Sequence, residues 1–205
     1  MYKEDIIQKI VEEKGIEAIP NLVKLLEDSD PDTRELARDV IGVMGESANE
    51  YLFEDFKKRF DKNLEDDMVM LYLAEILSQN GYKEIIPYLE RMINNYTDER
   101  AFPIIVEHLW RLTKEERYLD ILTTFLDDDD AVQEIAIMGI SHVPTKKGID
   151  VLVDKYNNSK ENSSRALILD SILQIIINDF KLVPYLQEKD REIANKLRWH
   201  WETFK

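Results

Sequence analysis

Two stretches of this chain, about one hundred residues apart, follow one template, and this repetition constrains the fold more than any other feature. Residues 21–44 and 121–143 each contain an apolar run with helical spacing, an acidic turn, and a second apolar run built around an alanine. Aligning the rest of the chain to this template places equivalent inward positions at intervals of 36, 32, 31 and 32 residues. These positions are Ala37, Leu73, Ile105, Ala136 and Ile168. A period of this length is typical of stacked helical hairpins, so the sequence predicts an all-α fold.

The apolar pattern predicts how the hairpins are distributed along a single domain that spans residues 1–205. An opening helix is expected at 2–14, and a terminal pair at 181–204. The repeats between them are expected at about 15–45, 48–80, 81–113, 116–144 and 147–178. Pro20, Pro87 and Pro184 occupy matching places, where a proline in the first turn of a helix costs no hydrogen bond.

Over nearly the whole chain, this pattern resembles the HEAT-repeat superfamily, which includes the short HEAT-like repeats of bilin lyases. The residues that carry the resemblance are 30–34 (Asp-Pro-Asp-Thr-Arg), Ala37, Ile41, Gly42 and Gly45, with a partial copy at 130–133, Ala136 and Ile140, and Arg165 at the position of Arg34. The resemblance implies a right-handed α-solenoid of about five to six hairpins, with the second helices lining a concave binding face. It says almost nothing about activity.

The candidate partner-binding residues are those of the second helices that are expected to lie on this concave face. They are Glu35, Arg38, Asp39, Leu71, Glu75, Glu107, Trp110, Gln133, Met138 and Arg165. Trp110 is the candidate anchor, because a few aromatic residues often dominate the binding energy of an interface. A tryptophan that fills the core between helices is the alternative interpretation of Trp110.

The net charge of −15, from 42 acidic and 27 basic residues, bears on the choice of partner. Such a charge repels phosphate backbones and attracts cations, so we expect a basic protein partner rather than nucleic acid. Solubility alone is the other explanation of the same charge. No apolar run approaches the roughly 18 residues of a membrane span, and the first residues lack the apolar stretch of a secretory signal. We therefore expect no membrane partner and a cytoplasmic location.

The acidic turns before the second helices are interpreted as helix caps, because carboxylates stabilise the amino-terminal end of a helix. The turns contain Asp28, Asp30 and Asp32 in the first repeat, residues 65–67 in the second, Asp98 and Glu99 in the third, and residues 127–130 in the fourth. Stacked hairpins would align these turns into an acidic ridge. Arg34 and Arg165 are expected to form ion pairs between repeats, with partners such as Asp67 and Asp130.

Signals for catalysis are weak in this sequence. The three histidines, His108, His142 and His200, do not form a metal-binding motif, and the chain has no cysteine and no phosphate-binding glycine loop. We therefore expect a non-enzymatic protein-binding scaffold without metal or cofactor. Three alternatives stay open: an immunity protein that neutralises a cationic nuclease toxin, a bilin-lyase-like chaperone or enzyme, and a HEAT-like DNA-repair glycosylase. The glycosylase is the least favoured, because a basic track along the chain is missing.

Overall fold

The computed structural model describes residues 3–62, 66–93, 96–128 and 130–203, with Asp130 described by its backbone alone. These residues are helical and contain no strand, which confirms the all-α prediction. The chain divides into two compact units, Met1–Ala101 and Phe102–Lys205. Within the described ranges, no helix is both long enough and apolar enough to cross a membrane.

The described residues of the first unit form α-helices and short 3-10 helices. The α-helices are α1 (Lys3–Lys14), α2 (Ile19–Leu25), α3 (Pro31–Met44), α4 (Asn49–Lys62), α5 (Met68–Gln79) and α6 (Ile86–Met92), and the 3-10 helices are Gly15–Ala18, Gly45–Ala48 and Lys83–Ile85. Helix α2 packs on α3 and α4 packs on α5, while α1 and α5 both pack on α3. Because short loops join α2 to α3 and α4 to α5, each of these pairs is a helical hairpin.

The second unit continues the pairing of helices. Its α-helices are α7 (Ala101–Thr113), α8 (Glu116–Thr124), α9 (Asp130–Ser141), α10 (Lys146–Asn158), α11 (Asn162–Asn178), α12 (Val183–Lys189) and α13 (Arg191–Glu202). Helices α8 and α9, α10 and α11, and α12 and α13 pack as pairs. Helix α11 also packs on α9 and on α13, so the second helices of consecutive pairs are neighbours.

The repeat alignment correctly identified the core. The five aligned positions, one in each second helix, are at most 1% exposed; they are Ala37, Leu73, Ile105, Ala136 and Ile168. The spacing of Ile193, Leu197, Trp201 and Phe204 predicts one apolar stripe along the closing helix. The first three of these residues are buried, and Phe204 lies outside the described residues.

The three matching prolines occupy the first turn of α2, α6 and α12, as expected. A 3-10 turn precedes each of these helices, so the α-helices begin about three residues later than the apolar pattern predicts. The physical reason is the missing N–H of proline, which starts a new helix rather than extending the preceding turn. Gly15 begins one of these turns and Gly81 lies two residues before another, with φ values of +52° and +71°, in the left-handed region that favours glycine.

Two carboxylates of the acidic turns cap helices, as the sequence predicts. Asp30 accepts hydrogen bonds from the backbone N–H groups of Asp32 and Thr33 at the start of α3, both at 3.3 Å. Asp67 accepts one from the backbone N–H of Met70 in α5, at 3.1 Å. Glu65 and Asp129, which belong to the same set of turns, lie outside the described residues.

Candidate functional site

In the first unit, the acidic turns before α3, α5 and α7 are joined by side-chain contacts. The Asp66 carboxylate accepts hydrogen bonds from the backbone N–H groups of Thr97 and Asp98, at 2.8 and 3.2 Å. The Arg59 guanidinium contacts Glu27 and donates to Asp67 at 3.2 Å. These contacts bring the turns of three consecutive hairpins together. The acidic ridge formed in this way comprises Glu27, Asp28, Asp30, Asp32, Asp66, Asp67, Asp98 and Glu99.

A recess of about 750 Å³ opens on the acidic ridge. Its apolar wall contains Leu26, Met68, Val69 and Tyr72. Met68 is 47% exposed, which makes it the most open of these four side chains. Charged side chains surround this wall: Glu27, Asp28, Asp66, Asp67, Arg34, Arg59 and Arg100. An apolar centre with a polar rim is the general form of a protein-protein interface.

The predicted ion pair between Arg34 and Asp67 is wrong. The Arg34 Nη1 atom donates instead to the backbone carbonyls of Asp28 and Ser29, at 2.7 and 3.0 Å. The reason is the position of Arg34 in the first turn of α3, from which its side chain folds back over the loop that precedes the helix. Arg59 on α4 supplies the cation for Asp67.

The guanidinium of Arg165 contacts an aromatic ring. It lies 4.2 Å from the ring centroid of Tyr156, which is a cation-π contact. The Tyr156 hydroxyl accepts a hydrogen bond from the Lys196 ammonium at 3.1 Å. This bond, with a further contribution from Arg165, lowers the pKa of Tyr156. Nothing is described of the Asp130 side chain, the expected partner of Arg165.

Four of the five candidate residues in the first unit take part in surface ion pairs. The Lys3 ammonium bridges Glu35 at 2.6 Å and Asp39 at 2.7 Å. The Arg38 guanidinium lies 3.6 Å from the Glu75 carboxylate.

Leu71, the fifth candidate, is only 3% exposed, so its expected place on an open surface is wrong. Helix α5 buries most of its residues, including Met70, Leu71, Leu73 and Ala74. Its exposed residues include Met68, in the first turn, but Leu71 is not among them.

In the second unit the candidate residues separate into exposed and buried ones. Met138 is 43% exposed, while Gln133 is partly buried and donates to the backbone carbonyl of Leu126 at 2.8 Å. Glu107 and Trp110 are 5% and 1% exposed, so neither lies on an open surface as expected. The reason is that α7 is apolar on most sides and is buried continuously from Ile105 to Trp110, which gives Trp110 the core role.

The buried carboxylate of Glu107 is the centre of a polar cluster. It accepts hydrogen bonds from Arg111 Nε at 2.7 Å, and its two oxygens lie 2.7 Å from His108 Nδ1 and 2.9 Å from His142 Nδ1. Burial by itself raises the pKa of Glu107. The charge of His108, hydrogen bonds from both histidines and the charge of Arg111 outweigh burial, so the pKa lies well below its usual range.

Sequence reasoning missed this cluster because it considered each histidine separately. His108 and His142 are 34 residues apart, which is close to one repeat, and this interval was the available signal. Gly139 allows the close packing, because a Cβ atom there would lie 3.1 Å from Glu107 Cγ. His142 is exposed while Glu107 and His108 are buried, so the cluster connects the core to the surface.

Among the residues that the structure describes, no group of three or more histidines, aspartates and glutamates is placed to hold a metal ion. No protein-family model matches the chain, and the comparison with curated proteins finds no match. On the surface of the first unit an apolar recess and a carboxylate ridge coincide, and this surface is the candidate binding site.

Proposed function

We propose that this protein is a non-enzymatic scaffold that binds a basic protein at the acidic ridge and recess of its first unit. The observation that carries the proposal is the exposure of Met68, at 47%, inside a charged rim of four carboxylates and three arginines. We also propose that the hairpins of each unit are HEAT-like repeats with right-handed solenoid packing. The pairing of successive helices within each unit supports this part of the proposal.

Charge and apolar area would have different roles in binding. The net charge of −15 speeds the encounter with a cationic partner, because it steers association over distances comparable to the Debye length. The apolar wall around Met68 and Tyr72 then slows dissociation, because a desolvated apolar centre supplies most of the binding energy. The proposal therefore predicts a salt-dependent association rate and a dissociation rate that responds to Met68.

The ridge is well suited to binding because its carboxylates are already held in place. Arg59 connects Glu27 with Asp67, and Asp66 is fixed by the backbone of Thr97. A surface fixed before binding loses less conformational entropy when a partner docks.

The test uses two matched methionine variants as baits in cross-linking capture from a cell extract. Met68 and Met138 are exposed to similar extents, 47% and 43%, but lie in different units. We expect Met68→Ser to lose a basic partner that wild type and Met138→Ser retain. We also expect capture by the wild type to weaken as the salt concentration rises from about 50 to about 300 mM, because surface charges become screened in this range. An acidic partner, or capture that Met68→Ser leaves unchanged, would contradict the proposal. Loss with Met138→Ser alone would move the site to the second unit.

The identity of the captured protein separates this proposal from its alternatives. A cationic nuclease whose activity is blocked by the purified protein would make the scaffold an immunity protein. Transfer of a bilin to a captured acceptor would favour the bilin-lyase-like alternative, and base excision from damaged DNA would favour the glycosylase. The measurements are nuclease inhibition, pigment absorbance on the acceptor, and DNA strand cleavage after alkali.

A further inference from the structure

A second recess of the first unit, of about 450 Å³, lies between the start of α2 and the first turns of α4. Its lining residues are Ile19, Pro20, Glu50, Tyr51, Glu54, Asp55 and Lys58, none of which lines the recess on the acidic ridge. A volume of this size is within the usual range for ligand pockets, roughly 300–1,000 Å³.

The walls of this recess combine an aromatic ring with an excess of carboxylates. Tyr51 is 49% exposed, although tyrosine usually buries most of its ring. Glu50, Glu54 and Asp55 contribute three carboxylates, against the single ammonium of Lys58. An exposed aromatic face attracts cations through its quadrupole, and neighbouring carboxylates add charge attraction. The chemistry of the recess therefore favours a cationic occupant.

The carboxylates are positioned by contacts that leave them able to accept further hydrogen bonds. Glu54 lies 2.5 Å from the Lys57 ammonium, Asp55 lies 3.0 Å from the Lys58 ammonium, and Glu50 accepts a hydrogen bond from the Tyr82 hydroxyl at 3.0 Å. A carboxylate has about four acceptor sites, so one such contact does not saturate it. The bond to Lys57 also lowers the pKa of Glu54.

We propose that this recess binds an arginine side chain of a partner protein. Arginine fits better than lysine, because a planar guanidinium stacks on an aromatic ring while its N–H groups donate to carboxylates in the same plane. Ile19 and Pro20 supply apolar surface for the aliphatic part of the side chain. The proposal adds a specific contact outside the acidic ridge, and it rests on the proposed function only in assigning the arginine to a basic protein.

The test is an NMR titration of the full chain with Nα-acetyl-arginine amide, with the citrulline analogue as an uncharged isostere. We expect saturable shifts for residues 19–20 and 50–58 with the arginine probe alone. Tyr51→Ala should weaken binding about three- to fivefold, the loss expected for an exposed cation-π contact. Glu54→Gln should weaken binding by about two- to fivefold, as for removal of one partly exposed charge.

A charge-matched control is Glu46→Gln, which removes a carboxylate from an exposed position that does not line the recess. Equal weakening by Glu46→Gln and Glu54→Gln would reduce the effect to net charge and overturn the proposal. Equal binding of the citrulline probe, or shifts confined to other residues, would also overturn it. The titration uses a small molecule and does not depend on the partner captured in the experiment with Met68→Ser. Either proposal can therefore fail while the other stands.

Discussion

Glu107 on α7 and His142, directly after α9, are joined by a contact of 2.9 Å between a carboxylate oxygen and the ring Nδ1. Since Arg111 and His108 also contact this carboxylate, the buried charge of Glu107 is in contact with three other side chains. This polar network specifies how α7 packs against the end of α9. A neutral side chain in place of Glu107 would not provide the charge that these three partners contact.

Glu107→Gln should therefore destabilise the protein by about 3–5 kcal/mol, the cost of breaking a buried ion pair by removing one partner. The control is Glu75→Gln, which removes a carboxylate from the partly exposed pair with Arg38 and should cost about 0–1 kcal/mol. Urea unfolding followed by circular dichroism measures both differences. Equal, small effects would show that the cluster contributes little to stability.

The lowered pKa of Glu107 predicts the pH dependence of stability. Burial alone raises this pKa, and His108, His142 and Arg111 more than offset that effect. A carboxyl group with a lower pKa in the folded state stabilises the fold fully above its unfolded pKa of 4.5, and this contribution is lost as the pH falls toward the folded pKa. Wild type should therefore lose stability more steeply than Glu107→Gln below about pH 4.5. Parallel unfolding free energies of the two proteins from about pH 7 to pH 3 would contradict the role assigned to Glu107.

Two helical glycines provide opposite predictions for the same substitution. A Cβ atom at Gly139 would lie 3.1 Å from Glu107 Cγ and 3.2 Å from its Cβ, whereas one at Gly42 would meet nothing within 4 Å. Gly139→Ala should destabilise the protein by about 1–3 kcal/mol through overpacking. Gly42→Ala should stabilise it by about 0.5–1 kcal/mol, because alanine favours a helix interior. Thermal unfolding of both variants tests the contrast, and a stabilised Gly139→Ala protein would show that Glu107 moves aside at no cost.

Alanine substitutions at Trp110 and Trp199 are predicted to have very different effects on the stability of the protein. Trp110 is 1% exposed and Trp199 is 76% exposed, on helices of the same unit. Trp110→Ala should cost about 3–5 kcal/mol, as expected for removing a large core side chain. Trp199→Ala should change stability by less than about 0.5 kcal/mol. Denaturant midpoints at constant slope measure both values, and a mild Trp110→Ala variant would return this residue to consideration as a partner anchor.

The inward positions could be predicted from the sequence, whereas the outward surface could not. Ala37 and Ile168 are buried because every hairpin presents the same stripe to its own partner helix, and a repeat makes that stripe visible. Leu71 and Trp110 lie on helices that are covered on several sides, and the extent of this cover depends on neighbours that the local pattern does not contain.

The acidic ridge could also be predicted, because helix capping acts locally. The identity of its cation could not: Arg59 reaches Asp67 from another helix, at a sequence separation of eight residues that matches no repeat. The apolar recess around Met68 depends on the same packing of separate turns, so it appeared only in the folded chain.

Arg59 is predicted to be the residue on which the acidic ridge depends most. Its side chain is 18% exposed, and it contacts Asp67, whose side chain is 6% exposed. Arg59→Ala would leave that carboxylate buried without its cation, so we expect a loss of about 1–3 kcal/mol. Arg38→Ala removes the same charge from a more exposed pair, in which the arginine is 38% exposed, and should cost about 0–1 kcal/mol. Both variants have the same net charge, so a difference in their unfolding free energies reports the ridge contact itself. If the two losses are equal, the Arg59 bridge is a surface ion pair and does not hold the ridge together.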